Sequence, residues 1–194
     1  MKHQTIRFER ERAYPMPVSE AWRLLADTDH LNRAIGLPAV EFSALPDPLV
    51  RRARARVFGV VPVRWREFPF DWIRERRYAV LREFDSGPIA RMVVGIELQP
   101  MAPGVTVRSY AECTPANVLA KAFGGVIKAS VADTLDFCDR YLSRKQAGQP
   151  DPAPVPGLLS RTSGGPAVSD PARRRPWGRL RRVPVIRLPG LAAL

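Results

Sequence analysis

Cysteine and histidine are scarce: the 194 residues contain two of each. Cys113 and Cys138 are too few for a disulfide framework and too far apart for a paired metal knuckle, so both are expected to be buried thiols. His3 lies close to the amino end and His30 in a helical turn after Asp29, expected as a surface or capping residue. Neither has a Cys, His or carboxylate cluster spaced for a metal, and no metal or cofactor is expected. GxSxG, a P-loop and GxGxxG are missing, which removes the motif-borne hydrolase, nucleotide and dinucleotide classes and leaves no catalytic residue to assign. No run approaches the roughly 20 apolar residues of a membrane span. The opening Met1-Lys2-His3-Gln4 leads into charged residues without an apolar signal core, so a cytoplasmic chain is expected.

Acidic residues are also short, 19 Asp plus Glu against 31 Lys plus Arg, a formal charge of +12. The excess is uneven. Residues 146–194 hold nine of the twenty prolines, six glycines and eight arginines against Asp151 and Asp170. That composition predicts a disordered basic tail behind a folded domain at 1–145. Within the tail, Arg173-Arg174-Arg175, Trp177, Arg179, Arg181 and Arg182 form a basic cluster suited equally to RNA or DNA phosphates and to an anionic membrane surface. No recognition-helix or RNA-recognition pattern is there to supply base readout, so nucleic acid is not the expected partner.

With 45% hydrophobic and 26% charged residues, the chain has the material for a core. Thr5 to Tyr14 alternates loosely and predicts a first, exposed strand. Pro17 suits a first helical turn, and Val18, Ala21, Trp22 and Leu25 follow at amphipathic spacing. Asp27, Thr28 and Asp29 can cap a second short helix carrying Leu31 and Ile35, stopped by Gly36 and Pro38. About six strands follow. Arg52, Arg54 and Arg56 alternate with Ala53, Ala55 and Val57. Val63, Trp65 and Glu67 share a phase, as do Tyr78, Val80, Arg82 and Phe84. Met92, Val94, Ile96 and Leu98 form another phase, and Val105, Val107, Ser109, Ala111 and Cys113 the last. Turns are expected at Pro46-Asp47-Pro48, Gly59, Ser86-Gly87-Pro88 and Pro100 to Gly104. Thr114-Pro115 reads as the opening of a long helix, with Leu119, Phe123, Val126, Ile127, Val131, Leu135, Cys138 and Leu142 on one face for about 28 residues. Gly124-Gly125 should weaken its middle by about 1 kcal/mol per glycine, inviting a bend or a close backbone approach.

One strand, two short helices, a run of antiparallel strands and a long final helix make an α+β arrangement in which a curved sheet wraps a helix. This order, with Pro17-Val18-Ser19-Glu20-Ala21-Trp22 entering Leu24-Leu25-Ala26-Asp27-Thr28-Asp29, resembles the START-like or SRPBCC superfamily. That superfamily comprises helix-grip proteins, among them lipid-transfer domains, polyketide cyclases and birch-pollen-allergen-like proteins. The stretches Asp27–Arg33, Gly36-Leu37-Pro38, Trp65–Trp72, Tyr78–Phe84 and Ser86-Gly87-Pro88 are similar to a narrower group, START-like domains that precede bacterial class III adenylate or guanylate cyclase domains. The resemblance covers about residues 5–145. It implies a helix-grip fold of about seven strands and a cavity. No cyclase domain has a counterpart here, so it implies no nucleotide-cyclase activity.

Such a cavity binds apolar ligands because apolar surface leaves water at about 25 cal/mol per Å². Ala53, Ala55, Ser109 and Ala111 at inward phases would leave it volume. The expected wall is Trp65, Tyr78, Val80, Met92, Val94, Val107, Ser109, Phe123 and Ile127, with Glu67 and Arg82 as polar candidates. Glu67 has two readings: a buried carboxylate able to exchange a proton, or a residue that faces outward or pairs with a neighbouring arginine such as Arg82. Three functions follow as expectations. The first is non-enzymatic binding of a hydrophobic small molecule or lipid. The second is an orphan regulatory domain of the adenylate-cyclase-associated type, acting through a signalling partner. The third is a polyketide cyclase or dehydratase, for which Glu67 with Tyr78 or Arg82 is the only acid/base pairing available.

Overall fold

The computed structural model describes residues 4–57, 60–118 and 120–150. His3, the turn at Gly59, the helix position Leu119 and the tail from Asp151, including its arginine cluster and Trp177, lie outside the described residues.

The element order is β1 (Ile6–Tyr14), α1 (Val18–Ala26), α2 (Thr28–Ala34), β2 (Glu41–Ala44), β3 (Arg51–Val57), β4 (Val61–Glu67), β5 (Asp71–Ile73), β6 (Arg77–Phe84), β7 (Ile89–Met101), β8 (Gly104–Pro115) and α3 (Ala120–Gln146). The strands form one antiparallel sheet ordered β1-β8-β7-β6-β4-β3-β2. It is a curved helix-grip sheet of eight strands, in keeping with the expected seven or so, with the four-residue β2 and the three-residue β5 its shortest members. β4 pairs the end of β6 at Arg82–Phe84, and β5 pairs its start at Arg77–Ala79. Phe68-Pro69-Phe70 separates the two, since proline cannot donate to a ladder.

Local chemistry sets the ends of the short helices. The Asp27 side chain accepts from the His30 backbone N–H at 2.9 Å and so caps α2. Gly36 has φ of 72°, and Leu37 N–H returns to the Asn32 carbonyl at 2.8 Å, which closes α2 as only a left-handed residue does cheaply. The expected opening of the long helix at Thr114-Pro115 is displaced. Both residues extend β8, where Thr114 pairs with Arg91 and Pro115 with Ile89. The Thr114 hydroxyl lies 3.3 Å from that of Thr5 across the sheet instead of capping a helix. α3 begins at Ala120 and runs 27 residues.

Two different fillings occupy the concave side. Toward one end, α1 and the carboxyl-terminal half of α3 close on β7 and β8, burying Leu25, Val105, Val107, Phe137 and Cys138 completely. Each such side chain contributes about 1.5–3 kcal/mol on leaving water. The Tyr14 hydroxyl donates to the Leu135 carbonyl at 2.9 Å, tying β1 to α3 inside this core. Toward the other end, the amino-terminal half of α3 leaves the sheet only partly covered, with Phe123, Val126 and Ile127 half-buried.

Candidate functional site

Between that half of α3, α2 and the concave faces of β3, β4, β6, β7 and β8 lies a cavity of about 440 Å³. Of the residues expected to form it, Trp65, Tyr78, Val80, Arg82, Met92, Val94, Ser109, Phe123 and Ile127 line it. Val107 and Glu67 do not. Val107 has the inward phase of Ser109 and Ala111, but it is fully buried in the core cluster that also holds Leu25, Leu135 and Phe137, where α1 and α3 close on the sheet. Of the small residues, Ala55, Ser109 and Ala111 face the cavity, whereas Ala53 is fully buried away from it. Periodicity missed the wall supplied by α2 and the segment after it, including Leu31, Ile35, Leu37 and Val40. Leu31 on α2 and Ile35 at its C-cap stand four residues apart, and that spacing was the available signal.

Glu67, at the end of β4, is 3% exposed and is not among the lining residues. Its Oε2 accepts from Arg82 Nε at 3.0 Å and from Trp65 Nε1 at 3.3 Å, and its Oε1 accepts from an Arg51 amino group at 3.4 Å. Glu67 therefore does not face outward; it is buried with arginine partners. Tyr78 does not join it: the phenol donates to the Leu25 carbonyl at 2.7 Å, and burial pushes its pKa well up, holding the proton on oxygen. Trp22 and Phe70 pack edge-on against the Tyr78 ring, with centroids 6.1 Å away in each case. His30 stands outside the cavity, its ring edge-on to Phe137 at 5.8 Å.

Both cysteines are buried free thiols. Burial pushes the Cys138 thiol up to about 12 and the Cys113 thiol to about 11, so neither is set up as a nucleophile. A second cavity of about 370 Å³ lies beside the first and shares Ile89 and Ile127 with it. Gly124 and Gly125 border it, and α3 continues through both. The close neighbour there is a side chain rather than a backbone: a Cβ on Gly124 would stand 3.4 Å from the Phe8 ring. No group of three or more His, Cys, Asp or Glu among the described residues could hold a metal. No helix among them is long and apolar enough to cross a membrane.

Solved structures share this architecture. The Zhui aromatase/cyclase from Streptomyces sp. R1128 superposes with a TM-score of 0.52 at 16% identity, covering 76% of this chain and 100% of its own. TTHA0849 from Thermus thermophilus gives 0.50 at 21% identity, covering 68% and 92%. DR_A0006 from Deinococcus radiodurans gives 0.50 at 14% identity, covering 74% and 99%. At these identities the likeness is one of fold. Among curated proteins none matches the sequence. Residues 5–141, the span from the first strand almost to the end of α3, match the family described as polyketide cyclase/dehydrase and lipid transport. With that match over most of the chain, and the helix-grip sheet to accompany it, the protein belongs to the polyketide cyclase/dehydrase and lipid transport family of the START-like superfamily.

Proposed function

We propose that the domain at residues 1–145 binds a hydrophobic small molecule or lipid in the 440 Å³ cavity without transforming it, in the cytoplasm. The observation that carries this reading is the composition of the wall. Trp65, Val80, Val94, Phe123 and Ile127 offer apolar surface, and among the described lining residues Arg82 is the only charged one. A site of this size and lining suits a ligand that gains by leaving water. The groups that acid/base chemistry would call on are tied elsewhere, Tyr78 to a backbone carbonyl and Glu67 to two arginines, a tryptophan and no cavity surface.

A polyketide cyclase or dehydratase is the reading suggested by the family description and by the aromatase/cyclase likeness. It would need Arg82 itself to polarise a carbonyl, since among the described lining residues that side chain alone brings charge to the wall. Action through a partner protein, such as a nucleotide cyclase, draws on Trp72 and Ile73, neighbouring exposed residues of β5. That role is compatible with ligand binding, because occupancy can bias a partner contact.

Native mass spectrometry of protein purified from its host tests the binding reading. A co-purifying apolar molecule is the expected result. A clean apo mass, together with no thermal shift across a lipid panel, would reject it.

A further inference from the structure

The charge balance behind the cavity wall is uneven. Arg82 lies on β6 between Leu81 and Glu83, at the phase of Val80 and Phe84, and its side chain is 19% exposed. Its Nε is held by Glu67, and its guanidinium carbon stands 5.7 Å from the Trp65 ring centroid. The two terminal amino groups have no hydrogen-bond partner among the described residues. Glu67 is not Arg82's alone, because its second oxygen takes Arg51, whose guanidinium also rests 4.4 Å from the Phe42 ring centroid. One carboxylate thus serves two guanidinium groups, and one net positive charge remains. The neighbouring acid Glu83 points to the other face of the sheet and is paired with Arg66 at 2.7 Å.

A guanidinium anchored through Nε keeps its two amino groups as a planar fork, the shape that a carboxylate fills with two parallel hydrogen bonds. In apolar surroundings a charge without a full partner is costly, and an incoming anion removes that cost. An ammonium group would be repelled, and a neutral alcohol would leave the net charge unanswered. We propose that the cavity selects an amphiphile with one carboxylate on an apolar body. The carboxylate would lie against the Arg82 amino groups, and the body along Val80, Met92, Val94 and Ile127. This rests on the cavity-binding reading above and adds the chemical class of the ligand to it.

The test uses the full chain and three matched probes, decanoate, decanol and decylamine, titrated by calorimetry with the intrinsic tryptophan fluorescence as a second signal. The wild type should bind decanoate about tenfold or more above decanol, with decylamine weakest, because a charge-assisted hydrogen bond exceeds a neutral one by roughly that factor. In Arg82→Met the ratio of decanoate to decanol affinity, both measured on the same variant, should fall to about one, because the fork that tells a carboxylate from an alcohol is gone. Arg82→Lys should keep part of the preference, as a point charge without the fork. Should Arg82→Met fail to fold, the lysine variant and the wild type's loss of preference on acidifying the probe carboxylate carry the test. Equal binding of decanoate and decanol by the wild type would overturn the carboxylate assignment and leave the cavity reading standing, as would a preference that survives Arg82→Met. Binding of none of the probes would overturn both.

Discussion

Val94 and Val107 share a residue type and a face of the sheet, yet they should respond oppositely to one substitution. Val107, on β8, is 0% exposed and belongs to the buried core cluster that includes Leu25, Leu135 and Phe137. Its replacement by Phe forces extra carbons into a filled space, which costs about 1–3 kcal/mol. Val94, on the adjacent β7, is paired with Val80 and Ala111, is half-buried, and opens on the cavity. There a phenylalanine ring has room, and covering some 50 Å² of cavity surface would contribute about 1 kcal/mol at roughly 20 cal/mol per Å². Val94→Phe should therefore fall between neutral and about 1 kcal/mol more stable, while Val107→Phe is clearly destabilised. Urea denaturation of both variants beside the wild type, with equal m-values as a check on two-state behaviour, reads the difference. Ligand binding should be lost in Val94→Phe. If Val94→Phe is destabilised as much as Val107→Phe, the space between α3 and the sheet is closed in solution, and the cavity argument fails.

The thiols give a pH prediction. Cys138 is pushed from its ordinary value of 9.0 to about 12 by burial, so the folded state keeps its proton where the unfolded state releases it. Stability should decline as pH rises from about 9 towards 12, and Cys138→Ala should flatten that decline in urea titrations; an unchanged slope would contradict it. Neither thiol should react with a disulfide reagent at neutral pH until denaturant is added. On the outer face, Arg54 stands opposite Arg64 and Arg52 opposite Arg66. Like charges directly opposed are unfavourable, so Arg64→Glu should raise stability by about 0.2–1 kcal/mol at low salt, with the gain shrinking as salt is added. A Cβ on Gly104 would lie 2.0 Å from the Tyr14 carbonyl oxygen, a backbone atom that cannot swing away. Gly104→Ala should lower the thermal midpoint by several degrees, on the order of 1–3 kcal/mol; an unchanged midpoint would show that the β1–β8 end yields freely.

Much of the architecture was legible because it depends on period. Alternation at Val63-Trp65-Glu67 and Tyr78-Val80-Arg82 assigns side chains to one face whatever covers that face, and the Asp27 cap and the Gly36 stop act within a few residues of their own backbone. The Glu67–Arg82 pair was legible as a possibility, since both residues held inward phases on strands that could be neighbours. Thr114-Pro115 shows where local signals fall short. The pair suits a helix opening as well as a strand end, and long-range pairing with Ile89 and Arg91 of β7 decided between them. The cavity itself lay beyond any reading of phase. Val107 and Val94 look alike along the chain, and only the passage of α1 and the carboxyl-terminal half of α3 over one, with the amino-terminal half of α3 standing off the other, makes the first core and the second wall. What the amino-acid order determined by itself was which side chains turn inward; whether they meet a partner or an empty volume depended on how far each helix reaches across the sheet, which is a property of the packed whole.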